Sequence, residues 1–144
     1  MPHLEQAVKY EPLPSYPHLG QMDIDIWTRF LEKNPARFSR VWYDFRVGDE
    51  ELLPEDANPR ARIGYADLTR WRIDVVAEDE TAFYVIELKP HANSKALGQV
   101  SAYAELYEAE QKPSKPVIPV LLTDLIISTT EKLAKSWAVE LWEV

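Results

Sequence analysis

The sequence predicts an α/β fold, a central mixed sheet with helices on both faces, and three observations carry that reading. Residues 73–76 and 83–88 are rich in β-branched and aromatic side chains and flank the polar turn Glu78-Asp79-Glu80-Thr81, the pattern of a β-hairpin. A helical stretch runs from Asn93 or Ser94 to about Gln111, and the apolar run Val117 to Leu122 beyond it reads as a strand buried on both faces. A strand reached by a helical crossover pairs parallel to the strand before it, so the sheet is mixed. The full order is helix, three largely antiparallel strands, helix, strand, helix, strand.

Taken in order, residues 1–20 hold Pro2, Pro12, Pro14 and Pro17 with little periodicity. They predict an extended arm without helix or strand, able to dock on a neighbour as an assembly element. Asp23 to Lys33 places Trp27, Phe30 and Leu31 on one helical face and Asp25, Thr28, Arg29 and Glu32 on the other, with Asn34-Pro35 as a stop. Arg40 to Val47 alternates, with Val41, Tyr43, Phe45 and Val47 expected on one side and Trp42, Asp44 and Arg46 on the other. Residues 49–60 read as a proline-interrupted acidic loop, and Ala61 to Thr69 is ambiguous. After Pro90 breaks the hairpin strand, Asn93 or Ser94 can cap a helix whose buried set is Leu97, Val100, Ala104 and Tyr107. Gly98 would let that helix approach the sheet closely. Ser128-Thr129-Thr130-Glu131 has the form of a capping box opening the last helix, and Glu140 to Val144 is a short final strand.

The length of 144 residues suits one domain, 21–144, behind the arm. There is no cysteine, which removes disulfides and thiolate metal sites. No apolar run is long enough to span a bilayer and the N-terminal segment does not read as a signal peptide, so an intracellular protein with no membrane partner is expected. The net charge of −8 runs against the basic footprint usual for nucleic-acid binding. All eight arginines nevertheless fall between Arg29 and Arg72, where the local balance is +1 against −9 for the rest of the chain. That leaves two readings open, an arginine-bearing face or arginines scattered over a solvated surface.

The hairpin carries the chemistry. With its turn centred between Glu80 and Thr81, Asp74 falls directly opposite Glu87, and Lys89 shares the Glu87 face with Phe83 and Val85. Two facing carboxylates repel unless a cation lies between them, and oxygen-only ligation suits Mg²⁺ or Mn²⁺. Lys89 would reach the same place, to position or activate water or to stabilise charge on a transferring phosphate. The ordinary readings are a polar rim for Glu87 and Lys89 and a turn cap for Asp74. His3 and His18 are expected in packing or solvent, and His91 close enough to Lys89 to line the same cleft.

Asp74, twelve intervening residues and Glu87-Leu88-Lys89 resemble the D…ExK signature of the PD-(D/E)xK nuclease superfamily, and Gln99 with Tyr103 is similar to the Gln-x-x-x-Tyr motif of its RecB-type members. The resemblance covers about residues 23–144, with Ile73 where some members carry proline. It implies a restriction-endonuclease-like fold and metal-dependent phosphodiester hydrolysis. Asp74 and Glu87 would hold Mg²⁺ or Mn²⁺ with the Leu88 carbonyl as a further ligand. Lys89 would assist the attacking water, Gln99 would support the site and Tyr103 would border it. Many members place an acid of the first helix towards the metal, which Glu32 or Asp25 could match. RVWYDFRVG, RIDVVAE and ALGQVSAY together are also similar to small proteins encoded in tailed-phage and prophage genomes, which implies a bacterial cytoplasm or a virion as the location.

Two functions of different class follow. One is a nuclease acting on nucleic acid, DNA more than RNA, alone, as a homo-oligomer or with a partner that supplies positive charge. The other is a non-catalytic phage structural or adaptor protein, for head-tail or neck assembly, that reuses the fold and meets protein partners through the N-terminal arm. The intact Asp-Glu-Lys set favours the first; five tryptophans, the arm and the acidic surface favour the second.

Overall fold

The computed structural model describes residues 7–49, 53–63 and 70–144. Its strands are β1 Arg40–Val47, β2 Trp71–Glu78, β3 Phe83–Leu88, β4 Val117–Thr123 and β5 Glu140–Glu143, and its named helices are α1 Gln21–Lys33, α2 Ser94–Gln111 and α3 Ser128–Ser136. The sheet runs β1-β2-β3-β4-β5 in sequence order. The first three strands pair antiparallel, and β4 and β5 add in parallel. This is the mixed α/β sheet of a restriction-endonuclease-like fold, as expected from the order of elements.

Both sheet faces are covered, which is why the strands read as apolar on both sides. On one face Ile26, Trp27, Phe30 and Leu31 of α1 pack on Val41, Val75, Ile86 and Val120. On the other, Leu97, Val100, Ala104 and Tyr107 of α2 and Ala134 of α3 pack on Trp42, Phe45, Val76, Val85 and Leu121. Helix α2 begins where Asn93 accepts a hydrogen bond from the Ala96 amide at 2.8 Å, and it ends at Lys112 in the left-handed region.

Several expectations are corrected. Strand β1 does not keep one alternation, because Asp44 has φ +53. The left-handed residue reverses the facing, so Val41 and Tyr43 join the α1 side while Phe45 and Val47 join Trp42 on the α2 side. The capping box does not form: Ile127 is the N-cap of α3 and no side chain caps it, while Thr130 donates to the Ala92 carbonyl instead. Gly98 allows no close approach, for nothing lies within 4 Å of a Cβ built there. Residues 59–63 are helical behind Asn58, whose side chain accepts from Arg60 N–H, so this part of the expected loop is ordered structure. The rest of the ambiguous stretch, 64–69, lies outside the described residues, as do His3 and residues 50–52.

The described arm, residues 7–20, is extended as expected but docked on its own domain. Val8 bridges to Val41 through two backbone hydrogen bonds of 2.8 and 3.0 Å. Tyr16 and Leu19 are buried in the α1-side core, and the Tyr10 hydroxyl donates to the Asn34 carbonyl. Tyr10, Leu13, Tyr16 and Leu19 are therefore used within the chain, while Val8 stays exposed.

Candidate active site

Regular pairing of β2 with β3 runs from Glu78 opposite Phe83 to Val75 opposite Ile86. One step further the backbone ladder gives way to carboxylates: the Asp74 amide donates to Glu87 Oε1 at 3.1 Å, and the Leu88 amide donates to Asp74 Oδ2 at 3.0 Å. Here β2 also changes facing, with Val75 on the α1 side and Ile73 on the α2 side. The twist that accompanies this change opens a gap between the strands that the two acidic side chains fill. Strand β3 is meanwhile held from its other edge by β4, whose Leu122 carbonyl accepts from Lys89 N–H at 2.9 Å.

The pair is electrostatically frustrated. Glu87 is only 8% exposed. Burial, and then the charge of Asp74, hold its carboxyl well above the usual range. Burial raises Asp74 as well, against the favourable hydrogen bond from the Leu88 amide. Buried like charges of this kind share a proton or require a cation. Asp23, in the first turn of α1, completes the constellation: burial raises its carboxyl, and Lys89 and His18 oppose that shift. Its charge in turn acts on both Asp74 and Glu87.

Of the residues singled out from sequence, Asp74 and Glu87 are each hydrogen-bonded to the facing strand, Tyr103 feels the charge of both, and Lys89 acts on Asp23. Lys89 is exposed, as is Gln99, whose side-chain amide donates to the Tyr103 hydroxyl at 2.9 Å across one helical turn. Tyr103 is half-buried, and burial followed by the nearby charges of Glu87 and Asp74 raises its hydroxyl above its ordinary value. Glu32 and Asp25 are not brought in. Glu32 is exposed, roughly 13 Å along the helix axis from Asp23, and Asp25 accepts from Gln21 at 2.8 Å in solvent. His91 faces Asp124 at 3.5 Å with its side chain 75% exposed.

Two members of the cluster were not singled out. Asp23 stands four residues before Trp27 and seven before Phe30, the spacing of the buried face, and that spacing was the available signal. His18 had none, since it belongs to the aperiodic arm. Its Nε2 lies 3.2 Å from the Asp74 carbonyl oxygen, so that nitrogen carries the proton and donates. Tyr43 stands beside it at 6.0 Å between ring centroids.

The donor set fits a hard cation. Among the described residues no group of three or more His, Asp or Glu is placed to hold a metal, so two carboxylates with backbone oxygens are what the chain offers. That suits an ion that keeps several waters, such as Mg²⁺ or Mn²⁺, and is a poor match for the nitrogen- and sulfur-rich shell of zinc. Several arginines along the sheet are committed to carboxylates. Arg37 pairs with Asp79 at 2.7 Å, Arg40 with Glu78 at 2.5 Å, Arg70 with Glu110 at 3.3 Å and Arg72 with Asp44 at 3.6 Å. Arg46 adds a contact with Asp44 at 3.7 Å, so five of the eight arginines pair with carboxylates of their own fold.

No family model and no curated protein matches the chain. Among solved structures it is similar to EndoMS in complex with dsDNA, with a TM-score of 0.50 and 19% identity over 92% of this chain and 48% of that one. It is also similar to the crystal structure of a protein of unknown function, with a TM-score of 0.49 and 20% identity over 79% of this chain and 52% of that one. The chain thus spans about half the length of the structures it matches, and the likeness to EndoMS is one of fold. Among the described residues no helix is long and apolar enough to cross a membrane.

Proposed function

We propose that the chain is a metal-dependent phosphodiester hydrolase, a nuclease of PD-(D/E)xK type, with DNA as its substrate. The observation that carries this is the pairing of half-buried Asp74 with buried Glu87 beside an exposed lysine at the opened end of a hairpin. A fold has no need to hold two carboxyls, both raised by burial, side by side there, and such pairs mark functional sites. Asp74 and Glu87 would hold Mg²⁺ or Mn²⁺ with the carbonyl of Leu88, and the ion would supply Lewis-acid stabilisation of charge developing on the phosphate. Lys89 would orient the attacking water and offset the negative charge that builds on the phosphate. Gln99 and Tyr103 fix the α2 wall, and His18 holds the Asp74 peptide. The shared fold with a protein solved on dsDNA supports DNA over RNA.

The non-catalytic assembly role stays as the second reading, supported by the net charge of −8 and by arginines spent on internal carboxylates. A series of variants separates the two. Lys89→Ala should bind Mn²⁺ in calorimetry like the wild type yet cut DNA at least about a hundredfold more slowly, whereas Asp74→Asn and Glu87→Gln should lose both properties. A folded wild type that binds no divalent ion would leave the assembly role standing.

A further inference from the structure

Trp71 has no task in the chemistry just described, and its setting is unusual for so large a ring. Trp27 and Trp42 are fully buried, while Trp71, in a central strand, is 52% exposed. It opens β2 three residues before Asp74, roughly 10 Å away along the strand. Its ring meets Tyr103 at 5.7 Å between centroids and 45° between planes, so the two rings form a corner, with open indole face beside the wall of the acidic site.

We propose that Trp71 and Tyr103 form a stacking platform for an unpaired nucleobase flanking the phosphate at Asp74 and Glu87, so that the substrate is single-stranded or locally opened DNA. This rests on the nuclease reading of the same site and adds the form of the substrate. The platform is rigid. Trp71 is paired with Val47 in the sheet, the preceding Arg70 is tied to Gly48 and Arg46 carbonyls, and Gln99 fixes the Tyr103 hydroxyl. Arg70 and Arg72 on either side of it are paired with Glu110 and Asp44. On a chain of net charge −8 whose flanking arginines are engaged, affinity has to come from contacts that phosphate repulsion does not cancel, and base–aromatic stacking is such a contact. A base inside a duplex is covered on both faces by its neighbours. Only an unpaired one can present a face to the indole.

The test is anisotropy of a labelled oligo-dT strand and of a labelled blunt duplex, both with Mg²⁺ and in the Lys89→Ala background, which keeps the metal-holding carboxylates and slows cutting. Trp71→Ala should weaken oligo-dT binding by at least about tenfold and Trp71→Phe, which keeps a π face, by no more than about threefold. The duplex should bind weakly and without regard to residue 71. Thermal unfolding of each variant confirms that the fold is kept. The proposal is overturned if oligo-dT does not bind, if Trp71→Ala binds it like its parent, if the alanine and phenylalanine variants lose alike, or if the duplex shows the same dependence. Failure of the nuclease reading is a different result: no metal-dependent cutting by wild type, while oligo-dT binding still depends on Trp71.

Discussion

Glu87 shows how a single side chain can be held at a cost to stability. Its carboxyl and that of Asp74 are raised in the folded chain relative to the unfolded one, both by burial first, with the charge of Asp74 adding to the shift of Glu87 and the charge of Asp23 adding to both. Between the ordinary carboxylate range and the raised folded values the native state binds more protons than the unfolded state. The stability of metal-free protein therefore falls as pH rises through that window, by up to about 1.4 kcal/mol per pH unit per excess proton. Urea unfolding in chelator between pH 4 and 8 should show this decline, and saturating Mg²⁺ should reverse it at the upper end. Glu87→Gln removes one of the two charges while keeping an acceptor for the Asp74 amide, so at pH 7 it should stabilise metal-free protein by about 1 kcal/mol and abolish cutting. A Glu87→Gln variant less stable than wild type would show that the carboxylate pair is structural. At the far end of the hairpin the sign is opposite. Asp79 is lowered despite some burial by Arg37, by the Thr81 amide and by Tyr84. Its contribution is present above the unfolded pKa and is lost as pH falls through the folded one. Asp79→Ala, which strips the turn of its acceptor for the Thr81 and Ala82 amides and the Tyr84 hydroxyl, should cost about 2–3 kcal/mol in chemical denaturation.

At the scale of elements, helix α2 gives the cleanest test, because its glycine is tolerated without being needed. Gly98 has open space around it and no positive φ, so Gly98→Ala should add about 0.5–1 kcal/mol to stability and leave cutting unchanged, as read by thermal melts and initial rates. The buried face of this helix, the hairpin register and the parallel β4 were legible because period and turn chemistry are local. Strand β1 was legible in extent and wrong in facing beyond Tyr43. A left-handed Asp44 carries no sequence signal, because glycine is the residue that ordinarily marks that conformation. The acid of α1 failed for a related reason. Choosing among Asp23, Asp25 and Glu32 requires knowing how the helix is rotated on the sheet, and Trp27 and Phe30 gave that direction only once Asp23 was counted with their face. The Ser-x-x-Glu pattern shows the limit of motif reading, since Thr130 found a tertiary partner and Ile127 took the cap.

At the scale of the whole molecule, the order of secondary structure follows from pattern, while the docking of the arm does not, for Tyr16 and Leu19 are isolated apolar residues in an aperiodic segment. The arm closes the α1-side core and brings His18 to the peptide of Asp74. Deleting residues 1–19 should therefore cost several kcal/mol, on the order of two large buried side chains, and depress cutting through loss of His18. A truncated chain as stable as the full one would mean the arm is a detachable assembly element. The charge balance is likewise a property of the whole: five of the arginines gathered in one window pair with acids of their own fold, and under the proposed function the cation for Asp74 and Glu87 would come from solution.

The most direct test of that claim is cleavage of labelled single- and double-stranded DNA at low salt by wild-type protein and Glu87→Gln, with Mg²⁺, with Mn²⁺ and with chelator. Metal-dependent cutting that the substitution abolishes is the result expected from the Asp74–Glu87 pair. No cutting by folded wild type under any of these conditions, or cutting that persists in chelator or in Glu87→Gln, would contradict it.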